Sequence, residues 1–302
     1  TAMLTAAPET LFVQGGYGAY GANGGRSGAY LPILHALRNR LTFVHVQHYN
    51  TGTMYGRDGG IYAAGTADFQ VAMAESLLAG FRVDAFGANL FFPALRPDQV
   101  AIGLPATGGN GGNGFTSAAV VQSALDYLIL GKSFGGSYQL ANPAGYRTFR
   151  GLMTWSVNWD VNGGLQFAAP HREYLDHVFL RSDRATVSAS AGGAANFTLR
   201  AGVGNAGRLH VLVGSLSGRS PGTLLPGGVL VPLNADALTD LTLNPGFTGV
   251  FQGFIGSLDG QGEGSARLNL PPMPWAAGIN ADFAYVLLWD FASTPVHITL
   301  TP

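Results

Sequence analysis

Leu41-Thr-Phe-Val-His-Val-Gln-His-Tyr-Asn50 alternates with a period of two, so an extended chain carries His45, Gln47 and Tyr49 on one face and Val44, Val46 and His48 on the other. Outward from this strand, Ala2–Ala7 reads as an apolar strand and Tyr30–Asn39 as a helix. Downstream come a helix at Thr66–Gly80, a strand at Val100–Pro105, and a helix opening at Thr116, with Ser117 near its cap, that runs to Leu130. A strand over Arg150–Trp159 and a last helix near His171–Leu180 complete the series. Glycine clusters at Gly15–Gly28 and Gly108–Gly114, and the pair Gly135 and Gly136, fall between these segments as loops do. Four successive β-α units predict an α/β fold, a parallel sheet with helices outside it. Periodicity leaves a doubly wound sheet and a closed barrel equally open.

The pattern changes at Arg181–Arg184. Short alternating segments follow at Asn196–Arg200, Arg208–Gly214, Val229–Leu233, Ala266–Leu270, Ala284–Leu288 and Val296–Leu300, separated by Gly and Pro turns. They predict an all-β sandwich of about eight strands. The expected domains are therefore residues 1–182 and 183–302.

Composition narrows the partners. With 302 residues, 47% hydrophobic and 11% charged, the chain can bury one or two cores. A net charge of −1, with 16 basic residues scattered along the chain, gives no electrostatic footprint for nucleic acid or a membrane surface. Apolar runs such as Tyr285–Trp289 fall far short of the roughly 20 residues of a spanning helix. There is no cysteine, hence no disulfide or thiolate metal site. Thr1–Glu9 has neither the charged start nor the apolar stretch of a signal peptide, an unusual beginning for a natural chain.

Two constellations carry chemistry. On the strand at 41–50, Gln47 and Tyr49 would stand at the carboxyl end, where barrel enzymes assemble their sites. His45 and His48, at odd spacing, point to opposite faces and make no metal site. In Gly151-Leu-Met-Thr-Trp-Ser-Val-Asn-Trp-Asp160, a strand reading puts Met153, Trp155, Val157 and Trp159 on one face. An indole at a strand mouth offers a flat apolar platform for the C–H face of a sugar ring, although a core filler explains Trp155 equally well.

Leu4-Thr-Ala-Ala-Pro-Glu9, Val13-Gln-Gly-Gly16, Val46-Gln-His-Tyr-Asn50, Ile102-Gly-Leu-Pro-Ala106 and Gly151–Asp160 stand in the order of strands five to eight of bacterial glycoside hydrolase family 18 chitinases. Residues 2–180 thus resemble the second half of that (β/α)8 TIM barrel. The resemblance implies a secreted, retaining, substrate-assisted enzyme acting on β-1,4-linked N-acetylglucosamine polymers, in which the acetamide oxygen of the substrate is the nucleophile. It implies that Tyr49 hydrogen-bonds the acetamido group amid Gln47 and Asn50. Trp155 would be the floor under the sugar with Met153 packed below it, and Glu9 a sugar-binding carboxylate. No cofactor and no metal are implied.

The family's Asp-x-x-Asp-x-Asp-x-Glu, which supplies the protonating Glu, does not occur in these residues, and neither does its Ser-x-Gly-Gly. Without a general acid the reaction slows by roughly a hundredfold to ten-thousandfold. Glu9 and Asp160 are poor substitutes, since nothing sets either over the bond. We expect a truncated barrel whose complement is the upstream half or a second copy of this chain. The alternatives are a non-catalytic chitin-binding derivative, or a structural assembly protein with a vestigial sugar site. Gly16-Tyr-Gly-Ala-Tyr-Gly21 spells a dinucleotide motif, but Arg38, Asn39 and Arg40 stand where its acidic ribose ligand belongs. Asn196-Phe-Thr198 spells a glycosylation acceptor that matters only in a eukaryotic secretory host. In the β module, Trp275 and Trp289 could form a carbohydrate platform, with core packing the expected role of Trp289.

Overall fold

A computed structural model describes residues 2–18, 23–84, 89–109, 113–288 and 290–302. The chain divides into two compact units, Thr1–Glu173 and Tyr174–Pro302.

The first unit is built on four parallel strands, β1 (Thr5–Ala6), β2 (Phe43–Gln47), β3 (Val100–Pro105) and β4 (Gly151–Trp155). They lie side by side in chain order. A doubly wound sheet reverses direction at a switch point, whereas a barrel adds each strand on the same side of the last. The monotonic order makes this sheet an arc of a barrel and removes the ambiguity that periodicity left. Helices α1 (Leu31–Leu37), α2 (Ala67–Ala79) and α3 (Ala118–Leu130) connect the strands.

Local chemistry explains where these helices start and stop. α1 carries Pro32 in its first turn, where a missing N–H costs nothing. α2 is capped by the Thr66 hydroxyl, which accepts from Phe69 N at 3.2 Å, with Asp68 favourable in the first turn. Ten of its thirteen residues, Phe69 to Leu78, are buried, because it packs on both β3 and α3. Among them is Glu75, fully buried. Its carboxylate accepts from Tyr138 Oη at 2.7 Å, Tyr146 Oη at 2.8 Å, Ala141 N at 2.8 Å and Asn142 N at 3.4 Å, which satisfies a charge that would otherwise be costly to desolvate. This hub pins the long segment after α3 onto α2.

Two sequence expectations are corrected at the end of this unit. The strand expected to reach Trp159 stops at Trp155, and Val157–Asn162 is a helix, α4. Ser156 is extended at the N-cap position without a capping hydrogen bond, and the alternation of Trp155, Val157 and Trp159 ends there as the chain turns into α4. Trp159 therefore does not continue the face of Met153 and Trp155. The helix expected at His171–Leu180 spans Ala168–Asp176 (α5), and its first turn is held by Asp160, which accepts from Phe167 N at 2.8 Å and Ala168 N at 3.0 Å.

Leu180–Ser182 (β5) is instead a strand of the second unit, with Leu180 fully buried in that unit's core. The second unit continues with β6 (Thr186–Ser188), β7 (Gly193–Arg200), β8 (Leu209–Ser215), β9 (Thr223–Leu224), β10 (Leu230–Val231), α6 (Ala237–Leu243), β11 (Phe251–Gln252), β12 (Ile255–Ser257), β13 (Glu263–Leu270), β14 (Asn280–Leu287), β15 (Phe291–Ala292) and β16 (Val296–Thr301). One sheet runs β6-β16-β14-β8-β12, with β15 beside β14; the other runs β11-β13-β7-β5. Leu199 and Leu268 from the second sheet and Leu212, Phe283 and Ile298 from the first share one apolar core, the arrangement of a sandwich. There are more strands than the eight expected, because two- and three-residue strands such as β5, β11 and β12 are too short to show alternation.

Candidate functional site

The register of the parallel sheet assembles the candidate site. Glu9, just beyond the end of β1, bridges to Gln47, Gln47 pairs with Gly103, and Gly103 pairs with Met153, so the four residues form one row. Two residues further toward the carboxyl ends stand Tyr49 and, at the tip of β4, Trp155 opposite Pro105. Because side chains alternate, Gln47 and Tyr49 share one face of the sheet, as do Met153 and Trp155. The opposite face carries Val44, Val46 and His48, all buried, with the His48 imidazole edge-on to Phe69 of α2 at 5.6 Å. The helices thus cover one face, and the candidate residues stand on the other, at its carboxyl end.

Each side chain is held differently. Gln47 Nε2 donates to Ala7 O at 2.7 Å and its backbone N–H to Pro8 O at 2.8 Å, which secures the two-residue β1 where ladder bonds are few. Glu9 and Asn50 are exposed. Asn50 has φ 53°, a left-handed turn that asparagine tolerates, and its N–H donates to Asn113 O at 3.0 Å. Trp155 is 57% exposed at the strand tip, so it is not a core filler.

Tyr49 is only 3% exposed. Burial, and then the charge of Glu9, push its phenol above the ordinary tyrosine value. The group therefore stays protonated at neutral pH and can act as a hydrogen-bond donor.

Gly103 explains how Met153 reaches the row. A Cβ at this position would lie 2.8 Å from Met153 Cε, 2.9 Å from Val46 O and 3.3 Å from Gln47 Cα. Gly103→Ala is expected to destabilise the first unit by roughly 1–3 kcal/mol in urea titration, as overpacking of a tight site does. Gly109→Ala, with nothing within 4 Å, is the control and should be silent.

Other candidates suggested by the sequence fall away from the row. Asp160 is buried with both carboxylate oxygens engaged by backbone N–H groups, so it serves α5 and has no free oxygen to offer a substrate. His45, one row below Gln47, is partly buried, and burial lowers its pKa. No group of three or more metal-ligating side chains occurs among the described residues. No helix among them is long and apolar enough to cross a membrane. In the second unit Trp275 is 79% exposed beside a cleft of about 330 Å³ lined only by apolar side chains such as Leu241, Phe247 and Phe283. That lining has no partner for sugar hydroxyls. Trp289 lies outside the described residues, as do parts of the glycine-rich loops at 15–28 and 108–114.

Sequence reasoning missed the tight fit at Gly103 and the hydrogen bonds that join His48, Gln70 and Thr116 behind Tyr49. Gln70 and Thr116 stand 46 positions apart, and nothing local signals their meeting.

Comparison with known proteins agrees with the resemblance read from the motifs. The chain is 55% identical over 185 residues to chitinase Chi52 of Paenibacillus xylanexedens, covering 61% of this chain and 35% of that protein. It is 58% identical over 174 residues to chitinase D of Niallia circulans, covering 58% of this chain and 32% of that one. Among solved structures, a glycoside hydrolase family 18 chitinase from Chromobacterium violaceum aligns with a TM-score of 0.53 at 43% identity, covering 58% of this chain and 45% of that one. No family model matches the chain. The chain spans about a third of the length of these two curated relatives.

Proposed function

From a homology to family 18 chitinases that extends over about three-fifths of the chain, we propose that these residues supply the acetamide-binding half of a secreted chitinase. The substrate is a β-1,4-linked N-acetylglucosamine polymer, and hydrolysis is retaining and substrate-assisted, with the protonating Glu contributed from outside these 302 residues. The observation that supports the reading is the pairing of a buried, protonated Tyr49 with an exposed Trp155 indole at the same end of the sheet.

In this mechanism one sugar stacks its apolar face on Trp155, and Tyr49 donates a hydrogen bond to its acetamido group. That bond holds the acetamide where its oxygen can attack the anomeric carbon, which replaces a protein nucleophile. Gln47, Asn50, Glu9 and Met153 shape the polar and apolar walls around the ring. Orientation is this half's contribution, and proton donation to the leaving oxygen is the other half's.

A chitobiose-type chromogenic reporter tests the proposal. Turnover should appear when the upstream half-barrel is supplied and be absent from the 302 residues alone. Tyr49→Phe should lower oligosaccharide affinity by about tenfold, the value of one hydrogen bond to a neutral acceptor. Unchanged affinity would refute the assignment of Tyr49.

A non-catalytic chitin-binding derivative is the second reading. It is favoured by the engagement of Asp160, which leaves Glu9 as the exposed carboxylate of the row. Retention on chitin, weakened by Trp155→Ala, with no turnover even beside an upstream half, would select it.

A further inference from the structure

Behind Tyr49 runs a chain of buried polar groups that no part of the proposed chemistry uses. Gln70 on α2 is fully buried, His48 is 1% exposed and Thr116 is 7% exposed. Gln70 Nε2 donates to Thr116 Oγ1 at 3.0 Å, and Thr116 Oγ1 donates to Gly114 O at 3.1 Å. That direction makes Gln70 Oε1 the acceptor facing His48 Nδ1 at 2.7 Å, so the imidazole proton is assigned to Nδ1. The donors all point one way, His48 to Gln70 to Thr116 to Gly114, and such chains reinforce one another when dry.

The chain closes on the tyrosine. Gly114, with φ 99°, presses so closely on the end of β2 that a Cβ there would sit 2.8 Å from both Tyr49 Cα and His48 O, and 3.3 Å from Tyr49 Cβ. On the other side of the residue, Asn50 N donates to Asn113 O at 3.0 Å. His48 N donates to Gly103 O at 2.8 Å and fixes the strand end itself. Tyr49 is thus gripped by the segment 113–116, and that segment is located by Thr116 through Gln70 on a thirteen-residue helix.

We propose that Gln70, His48 and Thr116 are positioning residues for Tyr49, holding its phenol where an N-acetyl group is received. The proposal rests on the reading of Tyr49 as the acetamide donor. None of the three touches the sugar. Apolar residues of similar volume would fill the same space at lower desolvation cost, so what the polar chain adds is a single geometry for the backbone beside Tyr49.

The test compares Thr116→Val, which keeps the shape and removes the hydroxyl, with Thr116→Ser, which keeps the hydroxyl, in the full 302-residue chain. Two readouts are taken: binding of tri-N-acetylchitotriose by calorimetry, and the ring resonances of Tyr49 in tyrosine-labelled protein without sugar, assigned with Tyr49→Phe. Thr116→Val should weaken binding by about tenfold and shift or broaden the Tyr49 signal, while Thr116→Ser restores both. Gln70→Met, which removes both central bonds, should do the same more severely. Should Gln70→Met fail to fold, the milder Thr116→Val still decides. An unmoved Tyr49 signal and unchanged binding in Thr116→Val overturn the proposal. A wild-type chain that binds no trisaccharide overturns the functional reading instead, while the ring signal still tests the positioning.

Discussion

Replacing Glu75 by leucine is expected to lower the stability of the first unit by about 3–5 kcal/mol, the range for breaking a buried, hydrogen-bonded charge network by removing one member. The substitution would strand the hydroxyls of Tyr138 and Tyr146 and the N–H of Ala141 in the interior, each without its acceptor. Glu75→Gln retains one acceptor oxygen and should fall between the variant and wild type. Denaturant titration followed by hydrogen exchange in α2 and in residues 138–146 reads the effect. An equally stable leucine variant would mean that the hub is dispensable. The same hub predicts an alkaline limit. Burial, and then the charge of Glu75, push the phenols of Tyr138 and Tyr146 above the ordinary tyrosine value. Their contribution is therefore intact below pH 10 and is lost as pH rises toward the folded-state values.

The acid side is governed by His48. Burial lowers its pKa to about 4 from 6.5, with the Gln70 bond acting in the opposite direction. Between those two values the unfolded chain binds a proton that the folded chain refuses, so stability falls as pH drops from 6.5 and levels off near 4. A separation of that size corresponds to about 3 kcal/mol. His45 and His171, also lowered by burial, add to the same trend. Unfolding free energy measured from pH 7 to 4 should show the slope, and His48→Gln should flatten it whatever it does to the neutral plateau. A slope unchanged in that variant would remove His48 as its origin.

What could be read from the sequence was what lies within one element. The alternation of Val44, Val46 and His48 against His45, Gln47 and Tyr49 is a property of five or six consecutive residues, and the two faces came out as read. Periodicity could not choose between barrel and doubly wound sheet, since strand order is a tertiary fact, and the barrel was read from the family motifs instead. Alternation misled at Val157 and Trp159, which belong to a six-residue helix too short to show its own period. The candidate residues Gln47, Tyr49, Met153 and Trp155 could be singled out in the sequence, because a strand mouth carries polar and aromatic side chains. The alignment of Gln47 with Met153 in one row was not legible, because it depends on register between strands some fifty residues apart. Gln70, Thr116 and Glu75 read as ordinary helix or loop residues, and the side chains they bond are 22 to 71 positions away.

The short strand Leu180–Ser182 bears on where the two units can be separated. It hydrogen-bonds along Phe197–Leu199 and fills the second core with Leu180. A fragment beginning at Asp183 would lose both, leaving a bare flank of amides and carbonyls next to an apolar hole, a template for polymerisation between copies. Severing the chain ahead of Tyr174 keeps that flank sheathed.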